Sequence, residues 1–555
     1  MGLSDTVMEL SIVPQPLRIE FKDEWFEIDG FRNAPSFMKT EFEVPNGSWE
    51  LVETVKTGQG VQVAQGKVTI WGKRFIGYST ALQLLRQKRG MIPEVNIEEK
   101  MSFDFRCFHL DIARGGVPNV NAFKNILKWL FLLKYNYFAV YFEDLYPWKT
   151  HPNIGKKRGG LSQDEWNTII AYARKFGIEV IPSLELLGHM EHTLALPEYR
   201  KYAELWWLSH RAADGCIDAG SDEARGFTLS LLQDVLETSP CEYVHIGGDE
   251  TWSLGRGRSL DRTWTYQGPE LFLSHYKALL NQVRTHGKKP ILWGDMLTGM
   301  YLTDKERERW SKVVESELWD DALIANWDYE PSDETHFEQK IDSVGRIHKQ
   351  VACPSLHNYL TYYPRFDAAL KNVTSFLSAA KKKGLKGFMV TAWGDDGSEC
   401  LYSLLNPLLL ASMEAAEGDG NWEKKWLVLS GESEQILKAR KLFGEAMVGP
   451  EIKNVLYLVR PHFRPEPNKE EIAKTWKTVL EQIKDTGLPA DLEFIRNSLR
   501  IGLKVLDNTA EASDLMDLAK EYAELWLKER KPNGLENILS RLWGSAAVLD
   551  THPFK

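Results

Sequence analysis

Between about residues 101 and 415 the chain alternates between two hydrophobic periods. Short, nearly continuous apolar runs predict buried strands at Arg106–Ile112, Tyr137–Phe142, Glu179–Ser183, Tyr243–Ile246, Pro290–Trp293, Ala322–Asn326, His348–Ala352 and Gly387–Thr391. Between them, apolar residues recur at helical spacing in Ala122–Leu133, Asp164–Phe176, Glu223–Leu236, Gly268–Thr285 and Ala368–Lys383. Eight such strands alternating with helices predict a closed (β/α)₈ barrel in preference to an open sheet.

The flanks follow other patterns. Residues 11–100 read as a small α+β unit, with strands at Leu17–Phe21, Val61–Val63 and Val68–Trp71 and a helix at Ser79–Gln87. Ile92-Pro93-Glu94-Val95 and the charged Glu98-Glu99-Lys100 read as the boundary to the barrel. After about residue 416 only helical spacing is left, in Glu434–Glu445, Lys469–Lys484, Ala490–Leu506, Ala512–Glu529 and Gly534–Leu549, punctuated at Pro465-Glu466-Pro467. The fold class is therefore α/β: an N-terminal α+β domain (1–100), a TIM barrel carrying the chemistry (101–415) and a C-terminal α-helical domain (416–555).

Composition narrows the function. A net charge of −10 argues against nucleic-acid or membrane-surface partners. No apolar run reaches the roughly 18 residues of a membrane span. The start, Met1-Gly2-Leu3-Ser4-Asp5, lacks the pattern of a secretory signal, and the five scattered cysteines suit reduced thiols, so a cytoplasmic protein is expected. Twenty tryptophans are many, and Trp148, Trp252 and Trp393 stand in loops beside polar residues, where indoles can stack on sugar rings.

In a barrel the loops after each strand meet on one face. Collected there are Arg106, Asp111 and Arg114; Tyr141, Glu143 and Asp144; Glu185, His189, Glu191 and His192; Asp249, Glu250 and Trp252; Trp293 and Asp295; Trp327, Asp328 and Tyr329; and Trp393, Asp395 and Asp396. Acids, a fixed cation and tryptophan walls suit carbohydrate, whose ring faces are apolar and whose hydroxyls need hydrogen-bond partners. The strongest single stretch is His245-Ile246-Gly247-Gly248-Asp249-Glu250, where two glycines break a buried strand just before paired acids. His189 and His192 lack HExxH spacing, so neither a metal nor another cofactor is expected.

These residues resemble glycoside hydrolase family 20, the β-N-acetylhexosaminidases. His245–Glu250 is similar to the family's catalytic signature, supported by Arg106 with Leu110-Asp111 and Arg114, by Ile181-Pro182 through Gly188-His189, and by Trp393-Gly394-Asp395. Gly188–His192 and Thr391–Gly397 look like an intracellular bacterial exo-acting branch with an added helical domain. The resemblance implies removal of terminal, non-reducing β-linked GlcNAc or GalNAc with retention, through an oxazolinium intermediate formed by the sugar's own acetamido group. It implies that Glu250 is the acid and then the base, that Asp249 orients the acetamido group, and that His189, supported by Glu143 or Asp144, tunes the proton. Arg106 and Asp395 are expected on sugar hydroxyls, with Trp293, Trp327 and Trp393 around the ring. Tyr329, ahead of Tyr359 and Tyr363, is expected on the acetamido oxygen. The loop Tyr141–Trp148 departs from the family's Asp-rich pattern, which leaves room for a GalNAc-selective enzyme. A catalytically silent sugar-binding barrel is the alternative from another class. A homodimer is allowed by the helical domain.

Overall fold

The computed structural model describes residues 10–205, 215–298, 304–344, 349–445, 449–459 and 468–551. Pro465–Pro467 and His348 lie outside them.

Eight parallel strands close the barrel: β6 (Phe105–Asp111), β7 (Tyr137–Tyr141), β8 (Glu179–Ser183), β9 (Tyr243–His245), β10 (Lys289–Trp293), β11 (Leu323–Trp327), β12 (Lys349–Cys353) and β13 (Gly387–Ala392). Closure is made by β13 beside β6, in register from Gly387 opposite Phe105 to Ala392 opposite Leu110. The strands form where apolar residues run without interruption because both faces are covered, by the barrel interior on one side and by helices on the other. Phe105, Cys107, Ala139, Ile181, Ile291, Leu323, Ala325, Val351 and Met389 fill the interior. Caps set several helix starts: Asn119 accepts from the Ala122 amide, and Ser162 forms a reciprocal capping box with Glu165.

Ahead of the barrel lie β1 (Arg18–Glu27), β2 (Glu50–Thr54), β3 (Gly60–Ala64), β4 (Lys67–Trp71) and β5 (Met91–Glu98), arranged as β1-β5-β3-β4-β2. Of the residues read as a boundary, Ile92–Val95 and Glu98 belong to β5, an internal strand of this sheet, and Glu99 and Lys100 follow it. Pro93 is tolerated because β3 pairs only with the stretch Val95–Glu98, so one side of the strand carries no ladder at Pro93. Beyond the barrel the chain is helical, including Gly449–Leu456, Lys469–Gln482, Ala490–Leu506, Ala512–Glu529 and Leu535–Thr551. No helix among the described residues is long and apolar enough to cross a membrane.

Candidate active site

At the carboxyl-terminal end of β9 the chain turns sharply. Gly247 and Gly248 have φ of +71° and +109°, and a Cβ on Gly247 would stand 2.2 Å from Glu185 Oε2. Only glycine permits this turn and this approach. It delivers Asp249 and Glu250 to one side, Glu250 itself in the left-handed region at φ +48°. That strained backbone is held in place, since the Glu250 amide donates to Asp295 Oδ2 (2.9 Å) and the Trp327 indole donates to Asp295 Oδ1 (3.2 Å).

His189, at the end of the loop after β8, serves both acids. Its Nε2 stands 3.3 Å from Asp249 Oδ2 and 3.4 Å from Glu250 Oε2. Burial opposes a charge on His189, but the Asp249 carboxylate and the hydrogen bonds to both acids outweigh it and raise its pKa well above the usual value. Burial would likewise raise Asp249, yet the His189 charge and hydrogen bond hold its pKa below the ordinary carboxylate value. A hydrogen bond with the Glu185 carboxyl adds to this lowering, and the second oxygen, Oδ1, is buried. Beneath the pair, Glu185 accepts from the Trp293 indole at 3.2 Å, and burial together with the Asp249 charge pushes its pKa well up. Burial, reinforced by Asp249, raises Asp295 to about 7. One ionised acid thus sits beside Glu185, which keeps its proton, and Asp295, which titrates near neutrality.

A cavity of about 220 Å³ opens over these groups. It is lined by Asp249, Glu250, His189, Trp327, Tyr329, Tyr359, Arg114, Trp393 and Asp395. The Trp393 indole donates to the Tyr329 hydroxyl at 2.7 Å, and the Trp327 and Tyr329 rings lie 5.0 Å apart. Arg114 Nη1 contacts Asp111 Oδ2 (2.9 Å) and its Nη2 contacts Glu143 Oε1 (3.1 Å), while the guanidinium lies over the Tyr141 and Trp393 rings. A larger cavity of about 470 Å³, lined by Glu41, Arg86, Trp129 and Tyr402, lies outside the barrel and away from the strand ends.

Seven expected residues therefore meet in one pocket: His189, Asp249, Glu250, Trp327, Tyr329, Trp393 and Asp395. Four do not. Arg106 is a correction: it is the second residue of β6, at the opposite end of the barrel, and its guanidinium donates to the carbonyls of Phe103 (2.7 Å) and Lys134 (2.9 Å). Arg114 takes its place. The signal was available, because Arg106 opens its own expected strand and chain direction puts it at the amino-terminal face. Glu143 stands one step behind the pocket, bound to Arg114 and to the Tyr141 hydroxyl, and burial lifts its pKa to about 8 against the pull of Arg114. Asp144 is taken up by Arg158. His189 is oriented by the acid pair itself, and neither Glu143 nor Asp144 bonds to it among the described residues. Trp293 is fully buried beneath the lining, 4.3 Å from the His245 ring. Among the tyrosines, Tyr359 reaches the pocket, whereas Tyr363 is buried against Phe366 and Phe443. Trp148, expected in an accessible loop, is buried and donates to the Asp144 carbonyl.

Among the described residues, two clusters bring three metal-type donors within 4.8 Å, namely His189–Asp249–Glu250 and Glu143–Glu191–His192. In the first, an imidazole drawn to its charged form by two carboxylates offers no lone pair to a cation.

Fold and site together define a (β/α)₈ barrel with an acid-lined, aromatic-walled pocket at the carboxyl ends of its strands. The model of the glycosyl hydrolase family 20 catalytic domain matches residues 103–396, just over half the chain, and the chain belongs to that family. Hexosaminidase D of Bos taurus is 28% identical over 225 residues, covering 39% of this chain and 62% of that protein. A β-hexosaminidase of Porphyromonas gingivalis is 28% identical over 362 residues, covering 52% and 46%. The chain thus spans less than two thirds of these relatives. Among solved structures, a Bacteroides fragilis β-N-acetylhexosaminidase superposes with a TM-score of 0.60 at 21% identity, covering 77% of this chain and 97% of that one. A Flavobacterium johnsoniae chitobiase gives 0.58 at 18%, covering 96% and 99%. At such identities the structures speak for the fold.

Proposed function

We propose that this protein is an exo-acting, retaining β-N-acetylhexosaminidase that removes terminal non-reducing β-linked GlcNAc or GalNAc with the help of the substrate's own acetamido group. The observation that carries this reading is the state of Asp249. It lines the pocket beside Glu250, and His189 holds its carboxylate in the ionised form, which suits an acceptor for the acetamido N–H. The pocket's size admits one sugar ring, in keeping with action at a chain end.

In the first step Glu250 protonates the leaving oxygen while the acetamido carbonyl oxygen attacks the anomeric carbon. Asp249 keeps that group oriented and offsets the positive charge that spreads over the forming ring. The resulting oxazolinium is opened by a water that gives its proton to Glu250, so the configuration is retained. Tyr329 donates to the acetamido oxygen, Trp327 and Trp393 enclose the sugar, and Arg114 and Asp395 bind hydroxyls on its far side. GlcNAc and GalNAc differ at the 4-hydroxyl, and the Arg114–Asp395 side of the pocket is where selectivity between them would be set.

The test is a pair of rates, on the p-nitrophenyl β-glycosides of GlcNAc and GalNAc, for wild type and Asp249→Asn. The reading expects turnover of at least one sugar and a fall of about 10²-fold or more in the variant, even with this good leaving group. Unimpaired turnover by Asp249→Asn would refute substrate assistance, and no turnover by wild type would favour a silent sugar-binding barrel.

A further inference from the structure

The loop after β13, which brings Trp393 and Asp395 to the pocket, is unusual in its backbone. Asp396, Gly397 and Ser398 all have positive φ, at +63°, +114° and +58°. Three consecutive residues of this kind, two of them carrying side chains, would not hold that shape unaided. Part of the support comes from the barrel: the Gly394 amide donates to Asp111 Oδ2 at 2.8 Å, and Asn358 bonds both the amide and the carbonyl of Trp393.

The rest comes from the C-terminal helices. Arg541, in the helix Leu535–Thr551, donates to the Asp396 carbonyl (2.8 Å), to Asp396 Oδ1 (2.9 Å) and to Glu399 Oε1 (2.7 Å). Lys453, in the helix Gly449–Leu456, pairs with Glu399 and stands 3.2 Å from Asp396 Oδ2. Tyr457 donates to the Glu399 carboxylate, Tyr522 donates to its carbonyl, and Arg530 donates to the carbonyls of Ser398 and Cys400. Glu399 and Lys453 are buried at 0% and 4% side-chain exposure, so this is a desolvated charge network with defined geometry, unlike a surface pair.

We infer that Arg541, together with Lys453, is a positioning residue of the pocket: the helical region sets where Asp395 stands beside Arg114, and so how the far hydroxyls of the sugar are read. Arg541 touches no substrate. It acts by fixing Asp396, the neighbour of Asp395, whose carboxylate lies 4.0 Å from Arg114 Nε. The inference rests on the functional reading above, and its chemistry is confined to the hydroxyl-binding side. The acid pair is held by other contacts.

A double-mutant cycle on an aryl N-acetylhexosaminide tests it. Arg541→Met should lower kcat/KM by about 10-fold to about 100-fold, chiefly through KM, as expected for a misplaced binding group. Arg541→Lys should recover most of that loss. In an Asp395→Asn background Arg541→Met should add less than about 2-fold, because both changes remove the same contact. Fully multiplicative effects, or a lower Tm with KM and kcat unchanged, would overturn the inference. Should Arg541→Met not fold, Asp396→Asn removes the same pairing with little change in size and carries the same expectations. A crystal structure of the variant adds a readout that needs no turnover: Asp395 displaced from Arg114 supports positioning, and an unmoved loop refutes it. Inactivity of the wild type would count against the proposed function alone.

Discussion

Arg106 and Arg114 stand eight residues apart on one stretch of chain, and they do opposite work. A strand of seven residues spans about 20 Å, so they fall at opposite ends of the barrel. Arg106 is buried, with N–H groups aimed at main-chain carbonyls and the Glu417 and Asp104 carboxylates acting on its charge. It closes the amino-terminal face as structure. Arg114 is paired with two side-chain carboxylates, lies over two aromatic rings and opens on the cavity. A guanidinium buried against carbonyls at the amino-terminal face is out of reach of a ligand at the other end of the barrel. One held in place by carboxylates beside a cavity is oriented in advance, and that is the difference between a structural and a binding arginine.

The largest separation between the two ends should come from removing the proposed proton donor at the carboxyl-terminal face. Glu250→Gln should lower kcat/KM on an unactivated glycoside by about 10²–10⁴-fold, with a smaller loss on an activated aryl glycoside, and comparing the two substrates is the check. Equal losses on both would remove Glu250 from the proton-transfer role. Arg114→Lys keeps a charge for Asp111 and Glu143 but loses the planar fork. Steady-state kinetics should show kcat/KM down by about 10-fold to about 100-fold, with Tm nearly unchanged. Arg106→Met should do the reverse. Denaturant titration should show a loss of about 2–4 kcal/mol from two carbonyls left without donors, while kcat/KM per folded molecule stays at the wild-type value. A catalytic defect in well-folded Arg106→Met would break the comparison.

The smallest expected effect is on pH dependence. His189 has a raised folded pKa, so its contribution to stability is complete below its unfolded value of 6.5 and is lost as pH rises through the folded value. Glu143, raised to about 8, acts in the same direction: the folded state keeps a proton that the unfolded state releases above 4.5, so stability falls from there until about pH 8. Asp249, depressed, works oppositely, its contribution being lost only as pH falls below 3.8 through its folded value. Buried histidines held below 6.5, such as His109, His245 and His275, add stability as pH rises to that value, so the decline in melting temperature should show between about pH 6.5 and 8, and His189→Gln should flatten it. A decline unchanged in this variant would count against a charged His189.

Much of the barrel was legible because doubly buried strands need unbroken apolar runs, and Tyr137–Phe142, Glu179–Ser183 and Gly387–Thr391 supply them. Glycines before paired acids made the turn at Gly247–Glu250 legible too. Strand β5 was missed because a proline and alternating charges resemble a linker, and only its partners β1 and β3 make it a strand. The supporting side chains were harder for a related reason. Whether Glu143 serves His189 or Arg114, and whether Asp144 is held by Arg158, depends on contacts between loops far apart in sequence. No local pattern records them. Arg106 differs, since direction along its own strand already placed it at the wrong face.

The central claim is that the nucleophile belongs to the substrate and that Asp249 only holds it. Inhibition by the cyclic thiazoline analogue of the intermediate measures this most directly. The account predicts competitive binding at least about 10²-fold tighter than that of the monosaccharide product, and weakened in Asp249→Asn. A thiazoline that binds no better than the product would contradict it.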